Sequence, residues 1–266
     1  MPDTVERSSH RLRSLDGTVV AVDRYRQGRR DTALVICHGF FQSKATPTFQ
    51  RLAGALAQSY DVLCLDFRGH GDSSGVFTFS AREDAELQAV LTWAQPQYPR
   101  LAVIGFSLGA AVAINTLSGA PPGVCGLIAV SAPASFEEIE FKFWTPEGIS
   151  TGLKGLEPGA GCRPGNPFLK KRRPIDAIHR MRNLPVLFIH GTKDVIVGAA
   201  HSRRLFDAAH EPKRLQLIAD GGHAEMLFRE DPTGFTSLIT DWLAEVLSSQ
   251  KRELPHTRLE TPRGTC

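Results

Sequence analysis

The sequence predicts an α/β fold built on a mainly parallel sheet with helices on both of its faces. Apolar runs alternate with helical patterns along most of the 266 residues, which is the pattern of strand–helix–strand units. The runs are almost continuously apolar, as expected of strands that are buried on both faces. A chain of this length also suits one large domain better than two.

Eight strands are predicted in chain order. An Asp16-Gly17 turn separates two alternating stretches in "RLRSLDGTVVAVDRYR" and predicts a β-hairpin, which supplies the first two. Apolar runs supply the other six, at residues 33–39, 61–67, 101–107, 126–133, 186–191 and 214–220. Helices are predicted between or after these runs, at residues 48–58, 81–94, 108–117, 199–209 and 235–247.

One region breaks this alternation after the sixth strand. Residues 134–184 contain no clear strand–helix unit, and glycine or proline occupies 11 of the 29 positions in 146–174. The aromatic stretch "FKFW" at 141–144 favours burial, so we expect an irregular lid over the carboxyl edge of the sheet; an insertion without a role is the alternative. The lid interrupts a single domain of residues 1–250, and the polar residues 251–266 predict a disordered tail.

Charge and hydropathy exclude several classes of function. The net charge of +3 is mildly basic, and a nucleic-acid-binding protein would need clustered charge together with a recognition motif. The one dense basic run, "KKRRP" at 170–174, is typical of a solvated loop, with an anionic contact as the alternative. The polar start of the chain lacks a secretory signal, and no apolar run approaches the roughly 20 residues of a membrane span. We therefore expect a cytoplasmic protein with no integral membrane segment; the oligomeric state stays open.

The five cysteines are scattered and odd in number, and no pair has CxxC spacing. This pattern argues against a zinc site, and we expect neither a metal nor another cofactor. Cys37, Cys64 and Cys125 each lie in an apolar run and are interpreted as small buried hydrophobic residues. That usage fits a reducing compartment.

A serine lies between two glycines in "GFSLG", residues 105–109, where a predicted strand meets a predicted helix. A G-x-S-x-G nucleophile turn requires this context. So sharp a turn strains the central residue, and side chains two positions before or after it would clash. The glycines therefore predict that Ser107 projects above the sheet edge, at the positive end of a helix. A tight turn without function is the alternative.

A serine hydroxyl is a poor nucleophile without a base. His223 lies on a glycine-flanked loop in "DGGHAEM", and Asp194 follows the strand 186–191 in "HGTKDVIV". Sites in open parallel sheets gather at the carboxyl ends of strands, where Ser107, Asp194 and His223 all fall. Asp220 is the rival acid. The other histidines are interpreted as surface residues (His10, His201, His210, His256) or as structural ones (His179, His190).

A tetrahedral intermediate needs hydrogen-bond donors for its oxyanion, and fixed backbone N–H groups serve best. The segment "CHGFFQSK" follows the strand 33–39 and places a turn beside Ser107. We expect the N–H groups of Phe40 and Leu108 to form the oxyanion hole. A simple strand-end turn at His38-Gly39 is the alternative.

Five segments together resemble the α/β-hydrolase fold family. They are "HGF" at 38–40, "DFRGHGDSSG" at 66–75, "GFSLG" at 105–109, "HGTKD" at 190–194 and "GGH" at 221–223, all in the family's order. The resemblance covers about residues 10–248 and is closest to the monoacylglycerol-lipase and serine-aminopeptidase branch, with some similarity to cinnamoyl and feruloyl esterases. It implies that Ser107 is the nucleophile, His223 the base and Asp194 the acid. It also implies that Phe40 and Leu108 donate to the oxyanion and that 66–75 is scaffold.

These expectations lead to a serine hydrolase that cleaves small-molecule carboxylic esters through an acyl-enzyme intermediate. Aromatic side chains suggest an apolar substrate pocket; they are Phe41, Phe141, Phe143 and Trp144, beside Phe40. A peptidase or amidase could use the same triad, with Glu137, Glu138 or Glu140 binding the substrate's amine. A thioesterase could use "KKRRP" to bind the phosphates of coenzyme A. A non-catalytic binding protein is the alternative of a different class, although such proteins typically lose a triad residue.

Overall fold

A computed structural model of the chain describes residues 4–139, 145, 146, 150 and 157–253. These residues contain one sheet of eight strands in the order β1-β2-β4-β3-β5-β6-β7-β8. β1 pairs antiparallel with β2, and β2 with β4, while the remaining neighbours are parallel. The strands are β1 (Glu6–Arg13), β2 (Val19–Arg26), β3 (Thr32–Cys37), β4 (Asp61–Leu65), β5 (Arg100–Phe106), β6 (Val124–Val130), β7 (Val186–Gly191) and β8 (Lys213–Ile218).

Helices cover both faces of the sheet and explain why its strands are apolar throughout. In β3, the side chains of Leu34 and Ile36 face one layer of helices. Their neighbours Val35 and Cys37 face the other layer, and all of them are buried. The prediction of a mostly parallel sheet flanked by helices is therefore confirmed. The helices are α1 (Pro47–Leu56), α2 (Asp84–Ala94), α3 (Leu108–Leu117), α4 (Ala200–Ala208), α5 (Met226–Glu230) and α6 (Pro232–Glu253).

The β1–β2 hairpin forms at the predicted Asp16-Gly17 turn. Gly17 has φ +85°, a left-handed conformation that glycine adopts without steric cost. The Ser14 N–H donates to the Thr18 carbonyl oxygen at 3.0 Å and closes the turn. The hairpin adds the two antiparallel strands that make this otherwise parallel sheet mixed.

Several helix boundaries differ from the sequence-based prediction. α2 begins at Asp84 rather than at residue 81, because Phe79 and Ser80 have positive φ values and the Glu83 carboxylate accepts from the Thr78 N–H at 2.7 Å. α6 continues to Glu253, three residues into the predicted tail, and 254–266 lie outside the described residues. The short helix α5 was not predicted. None of the described helices is both long and apolar enough to cross a membrane.

The region predicted as a lid starts against the loop that follows β7. Phe136 and Ile139 pack there on Ile196 and Val197. Nearby, the Ala134 N–H donates to Nδ1 of His201 at 3.2 Å. His201 is therefore buried, and its interpretation as a surface residue is wrong. The "FKFW" residues at 141–144 lie outside the described part of the chain.

The chain returns from this region along a segment that we call the return strap, residues 157–165. Its backbone bonds to two loops at the carboxyl edge of the sheet: the Gly161 N–H donates to the Phe41 carbonyl oxygen at 2.6 Å, and the Arg163 N–H donates to the Gly69 carbonyl oxygen at 2.7 Å. The Ser43 hydroxyl donates to the Gly159 carbonyl oxygen at 2.9 Å. The strap thus fixes the loop after β3 from outside.

A buried lysine fixes the same loop from inside. The Asp66 carboxylate accepts from the backbone N–H groups of Lys44 (2.7 Å) and Asp72 (2.9 Å). Nζ of Lys44 lies 2.6 Å from Asp72 and 3.5 Å from Asp66, with Asp23 at 3.6 Å. Because buried charges are tolerated only when they are paired, this cluster holds the loop in one position. The contacts agree with the interpretation of residues 66–75 as scaffold.

Candidate active site

Ser107 occupies the turn between β5 and α3 in a strained conformation. Its φ is +50° and its ψ is −111°, outside the regions that L-residues ordinarily adopt. The Ser107 N–H donates to the Val130 carbonyl oxygen at 2.9 Å and so anchors the turn to the end of β6. Strain of this kind persists only where the surrounding structure enforces it.

The two flanking glycines are required by close packing. A Cβ at Gly105 would lie 2.6 Å from the backbone nitrogen of Ala110, in the first turn of α3. A Cβ at Gly109 would lie closer than 3.0 Å to the backbone carbonyl groups of Cys37 and His38, at the end of β3. The glycines therefore allow the start of α3 to rest directly on β5 and on the end of β3.

Asp194 and His223 form a hydrogen-bonded pair between the loops that follow β7 and β8. Nδ1 of His223 lies 2.7 Å from Oδ2 of Asp194. An ionised carboxylate only accepts, so Nδ1 carries the proton and Nε2 of the neutral ring is left as an acceptor. Oδ1 of Asp194 accepts from the N–H groups of Ile196 (3.0 Å) and Val197 (2.8 Å).

A second histidine supports this acid from behind. Nε2 of His190 lies 2.6 Å from the carbonyl oxygen of Val197, which can only accept, so this nitrogen is protonated. The same nitrogen lies 3.2 Å from Oδ2 of Asp194, and Nδ1 accepts from the Ser202 hydroxyl at 2.6 Å. His190 was interpreted as structural; its contacts make it a support for Asp194.

The pair shifts both ionisation equilibria. Burial alone would raise the pKa of Asp194, but the charge of His223 and the hydrogen bonds from His190 and His223 hold that pKa far below its usual range. Burial alone would lower the pKa of His223; the charge and hydrogen bond of Asp194, together with the charge of Glu225, raise it above 6.5. The acid thus stays ionised while the imidazole is a stronger base than usual.

The loop that carries His223 is anchored at its other side too. The Ala224 N–H donates to the Ser131 hydroxyl oxygen, at the end of β6, at 3.0 Å. Asp220, the rival acid, is exposed and forms an ion pair of 2.9 Å with Lys193. Its carboxylate is therefore engaged away from the ring nitrogen that Asp194 occupies.

The segment that carries Phe40 lies against the Ser107 turn. A Cβ at Gly39 would be 3.7 Å from Cβ of Ser107 and 3.5 Å from the Phe106 carbonyl oxygen, and Phe40 follows directly. The N–H of Leu108 belongs to the first turn of α3, where such groups lack intrahelical acceptors. The assignment of Phe40 and Leu108 as oxyanion donors remains a prediction.

Comparison with known proteins decides the family. A family model described as "Alpha/beta hydrolase family" matches residues 34–238, most of the chain. The chain belongs to the alpha/beta hydrolase family. The matched range includes Ser107, Asp194 and His223, and membership supports a hydrolase activity in general terms.

The hydrolase is similar in sequence to proteins of several bacteria. The protein Rv2307c of Mycobacterium tuberculosis is 31% identical over 74% of this chain and 64% of its own length. The protein YfhR of Escherichia coli is 26% identical over 73% of this chain and 63% of its own length. The chain thus matches less than two thirds of these relatives.

Solved structures confirm the fold of the hydrolase. The Pyrococcus furiosus esterase Pf2001 superposes with a TM-score of 0.71 at 22% identity, covering 91% of this chain and 93% of that one. The esterase RhEst1 from Rhodococcus sp. ECU1013 gives a TM-score of 0.73 at 20% identity, covering 90% and 99%. At these identities the similarity shows a shared alpha/beta-hydrolase architecture.

Aromatic side chains of the hydrolase gather beside the Ser107 turn. The Phe40 ring centroid lies 4.1 Å from that of Phe41 and 5.1 Å from that of Phe77, and Phe79 lies 4.4 Å from Phe77. Phe41 has φ +62° and a 42% exposed side chain. The other expected pocket residues lie outside the described residues: Phe141, Phe143 and Trp144. Phe77 and Phe79 were missed, because nothing in their sequence spacing relates them to Phe40.

Charged side chains that bear on other substrates make contacts of their own. Lys171 of the basic run lies over the Phe79 ring, 5.7 Å from its centroid. Arg172 of the basic run donates to the Asn115 carbonyl oxygen at 3.0 Å, at the end of α3 remote from Ser107. Glu138 accepts from Arg204 at 2.6 Å, Glu137 is exposed, and Glu140 lies outside the described residues. Among the described residues, no group of three or more His, Cys, Asp or Glu side chains could hold a metal ion.

Sequence reasoning missed one buried polar pair of this site. Nε2 of Gln42, in the loop after β3, donates to Oε1 of Glu225 at 2.8 Å. Glu225 lies two residues beyond His223 in "GGHAEM", but its partner is 183 residues away in the chain. No local pattern could have joined the two.

The glycine packing predicts the effect of adding one methyl group at the Ser107 turn. Gly109→Ala would force a Cβ against backbone carbonyls that cannot rotate away, so we expect a loss of about 1–3 kcal/mol or more in the free energy of unfolding. The matched control is Gly54→Ala in α1, where the new Cβ meets nothing within 4 Å; it should stabilise by up to about 1 kcal/mol. Urea unfolding measures both, and equal stability of the two variants would contradict the packing account.

Proposed function

We propose that this protein is a serine hydrolase that cleaves carboxylic esters through an acyl-enzyme intermediate. Two observations carry the proposal: the hydrogen bond of 2.7 Å between His223 and Asp194, and a serine held in a strained turn at the same carboxyl edge of the sheet. The bond leaves Nε2 of His223 as a proton acceptor, which is what a serine nucleophile needs. Family membership supports hydrolysis as the reaction class.

In the proposed mechanism the Ser107 hydroxyl attacks the ester carbonyl while Nε2 of His223 takes its proton. Asp194 holds the ring in the required tautomer and stabilises the imidazolium that forms. The backbone N–H groups of Phe40 and Leu108 donate to the oxyanion of the tetrahedral intermediate. His223 then returns the proton to the leaving alcohol, and water hydrolyses the acyl-enzyme by the same steps.

The aromatic cluster supports an ester with an apolar acyl or alcohol group. Phe40, Phe41, Phe77 and Phe79 form a continuous aromatic cluster that includes the proposed oxyanion donor; Phe77 is buried within it and Phe41 is exposed. A peptidase would need a free acidic group for the substrate's amine, and Glu138 is already paired with Arg204. A coenzyme A thioester would need basic groups near Ser107; Arg172 is bound at the far end of α3, and Lys171 is engaged over the Phe79 ring, 5.7 Å from its centroid. Ester hydrolysis is therefore the function that these contacts favour.

Replacement of the nucleophile tests the proposal directly. Ser107→Ala should lower the turnover of p-nitrophenyl esters, from acetate to palmitate, by about 10⁴–10⁶-fold, because the acyl-enzyme can no longer form. Ser249→Ala on the exposed end of α6 is the matched control and should stay within twofold of the parent. A folded Ser107→Ala variant with near-parental turnover would rule out Ser107 as the nucleophile. A folded parent that cleaves amides or thioesters but no ester would replace the ester proposal by that activity.

The pH dependence follows from the sign of the His223 shift. The neutral ring is the base, so activity should be lost as the pH falls through the pKa of His223, which lies above 6.5 because the negative charges of Asp194 and Glu225 outweigh its burial. Asp194→Asn removes one of these charges. It should move the acid limb of the kcat/KM profile to lower pH and cut kcat by roughly 10³–10⁴-fold. A parental profile that stays flat down to pH 5 would contradict His223 as the base.

A further inference from the structure

One buried carboxylate at this site has no part in the mechanism above. Glu225 directly precedes α5, two residues after His223, and is only 8% exposed. Its Oε1 accepts from Nε2 of Gln42 at 2.8 Å. Gln42 is itself buried, and its backbone N–H donates to the Gly39 carbonyl oxygen at 3.3 Å. The pair therefore connects the loop of the proposed oxyanion donor with the loop of the proposed base.

The second oxygen of this carboxylate and the Ser107 side chain both lie against Gly39, in the loop after β3. A Cβ at Gly39 would be 3.9 Å from Oε2 of Glu225 and 3.7 Å from Cβ of Ser107. The carboxylate and the Ser107 turn thus both border the loop after β3 at Gly39, a residue without a side chain. A buried charge costs several kcal/mol unless it is compensated, so a purely structural role would be served better by a neutral side chain.

The charged groups around His223 show what Glu225 adds. Asp194 approaches from the loop after β7 through a hydrogen bond, and His190 lies behind it with both ring nitrogens hydrogen-bonded. Glu225 lies at the start of α5, and its charge raises the pKa of His223. Burial raises the pKa of Glu225 above its usual range, whereas the charge of His223 and the hydrogen bond from Gln42 act to lower it. Glu157 on the return strap accepts from the N–H and hydroxyl of Thr48, and its charge adds a smaller upward contribution to the pKa of Glu225.

We propose that Glu225 is a positioning residue of this active site: it ties the Phe40 loop to the His223 loop through Gln42 and supplies a second negative charge to the His223 imidazolium. This inference rests on the proposed function. The hydrogen bond fixes where the two loops stand relative to Ser107, and the charge favours the protonated ring that forms during attack. Because Gln42 donates to Oε1, part of the carboxylate's charge is compensated on the side that faces the oxyanion loop.

Two substitutions separate the effect of the Gln42–Glu225 hydrogen bond from the effect of the Glu225 charge. Glu225→Gln keeps an oxygen that can accept from Gln42 but removes the charge, so the midpoint of His223 titration should fall by on the order of one pH unit. Glu225→Ala removes both, and kcat should fall at least tenfold with KM little changed. The matched control is Glu245→Gln. Glu245 is an exposed residue of α6 that pairs with Arg214 of β8, so its replacement should change neither the His223 midpoint nor kcat.

The titration is followed by NMR of the His223 ring, which needs no turnover. An unchanged midpoint in folded Glu225→Gln would overturn the proposal, and so would parental kcat and KM in Glu225→Ala. The acid limb of kcat/KM should shift together with the NMR midpoint. A role confined to stability would lower the melting temperature and leave both midpoints in place.

A measurement on the parent protein keeps the proposal testable if a variant does not fold. Two coupled ionisable groups each report the other's titration, so the carboxyl carbon of Glu225 should show an inflection at the His223 midpoint; its absence would overturn the proposal. The outcomes also separate this inference from the proposed function. If Ser107-dependent ester turnover is found but the titrations of Glu225 and His223 are not coupled, only the role of Glu225 is overturned. If the two titrations are coupled but the protein cleaves no ester, only the proposed reaction is overturned.

Discussion

The Asp194 carboxylate is the contact on which the arrangement of this site depends. One of its oxygens is fixed by two backbone N–H groups of its own loop, and the other binds His223. His190 supports it from β7, and the start of the predicted lid packs on the residues that donate to it. A carboxylate buried this deeply is tolerated only because its acceptor positions are occupied. Those same bonds orient the imidazole and keep its second nitrogen available as a base.

Backbone packing provides the other half of the site. The strained conformation of Ser107 and the bare Cα positions of Gly105 and Gly109 let α3 begin in contact with β5 and the end of β3. The loop after β3 is then held from within by Lys44 and its carboxylates and from outside by the return strap. Each restraint crosses between distant parts of the chain. Preorganisation of this kind is what electrostatic stabilisation of an oxyanion requires, because rigid donors need no reorganisation during the reaction.

Much of this could be predicted from the sequence because the signals are local. Continuous apolar runs indicate strands covered on both faces, and "GFSLG" combines a steric rule with a strand–helix junction that the structure contains. The bond between Gln42 and Glu225 could not be predicted, since 183 residues separate the two and no local pattern relates them. The contact of His201 with Ala134 was missed for the same reason. The start of α2 was misplaced because the positive φ values of Phe79 and Ser80 are set by the bonds of Glu83 and not by helix propensity.

The central claim is that Ser107 is a nucleophile activated by His223. The most direct measurement is covalent capture with a fluorophosphonate, a reagent that reacts with an activated serine, followed by intact mass and peptide mapping. The account predicts one adduct per chain, on Ser107, with a labelling rate that collapses in the folded His223→Ala variant. A folded parent that takes up no label, or that is labelled at another residue, would contradict it.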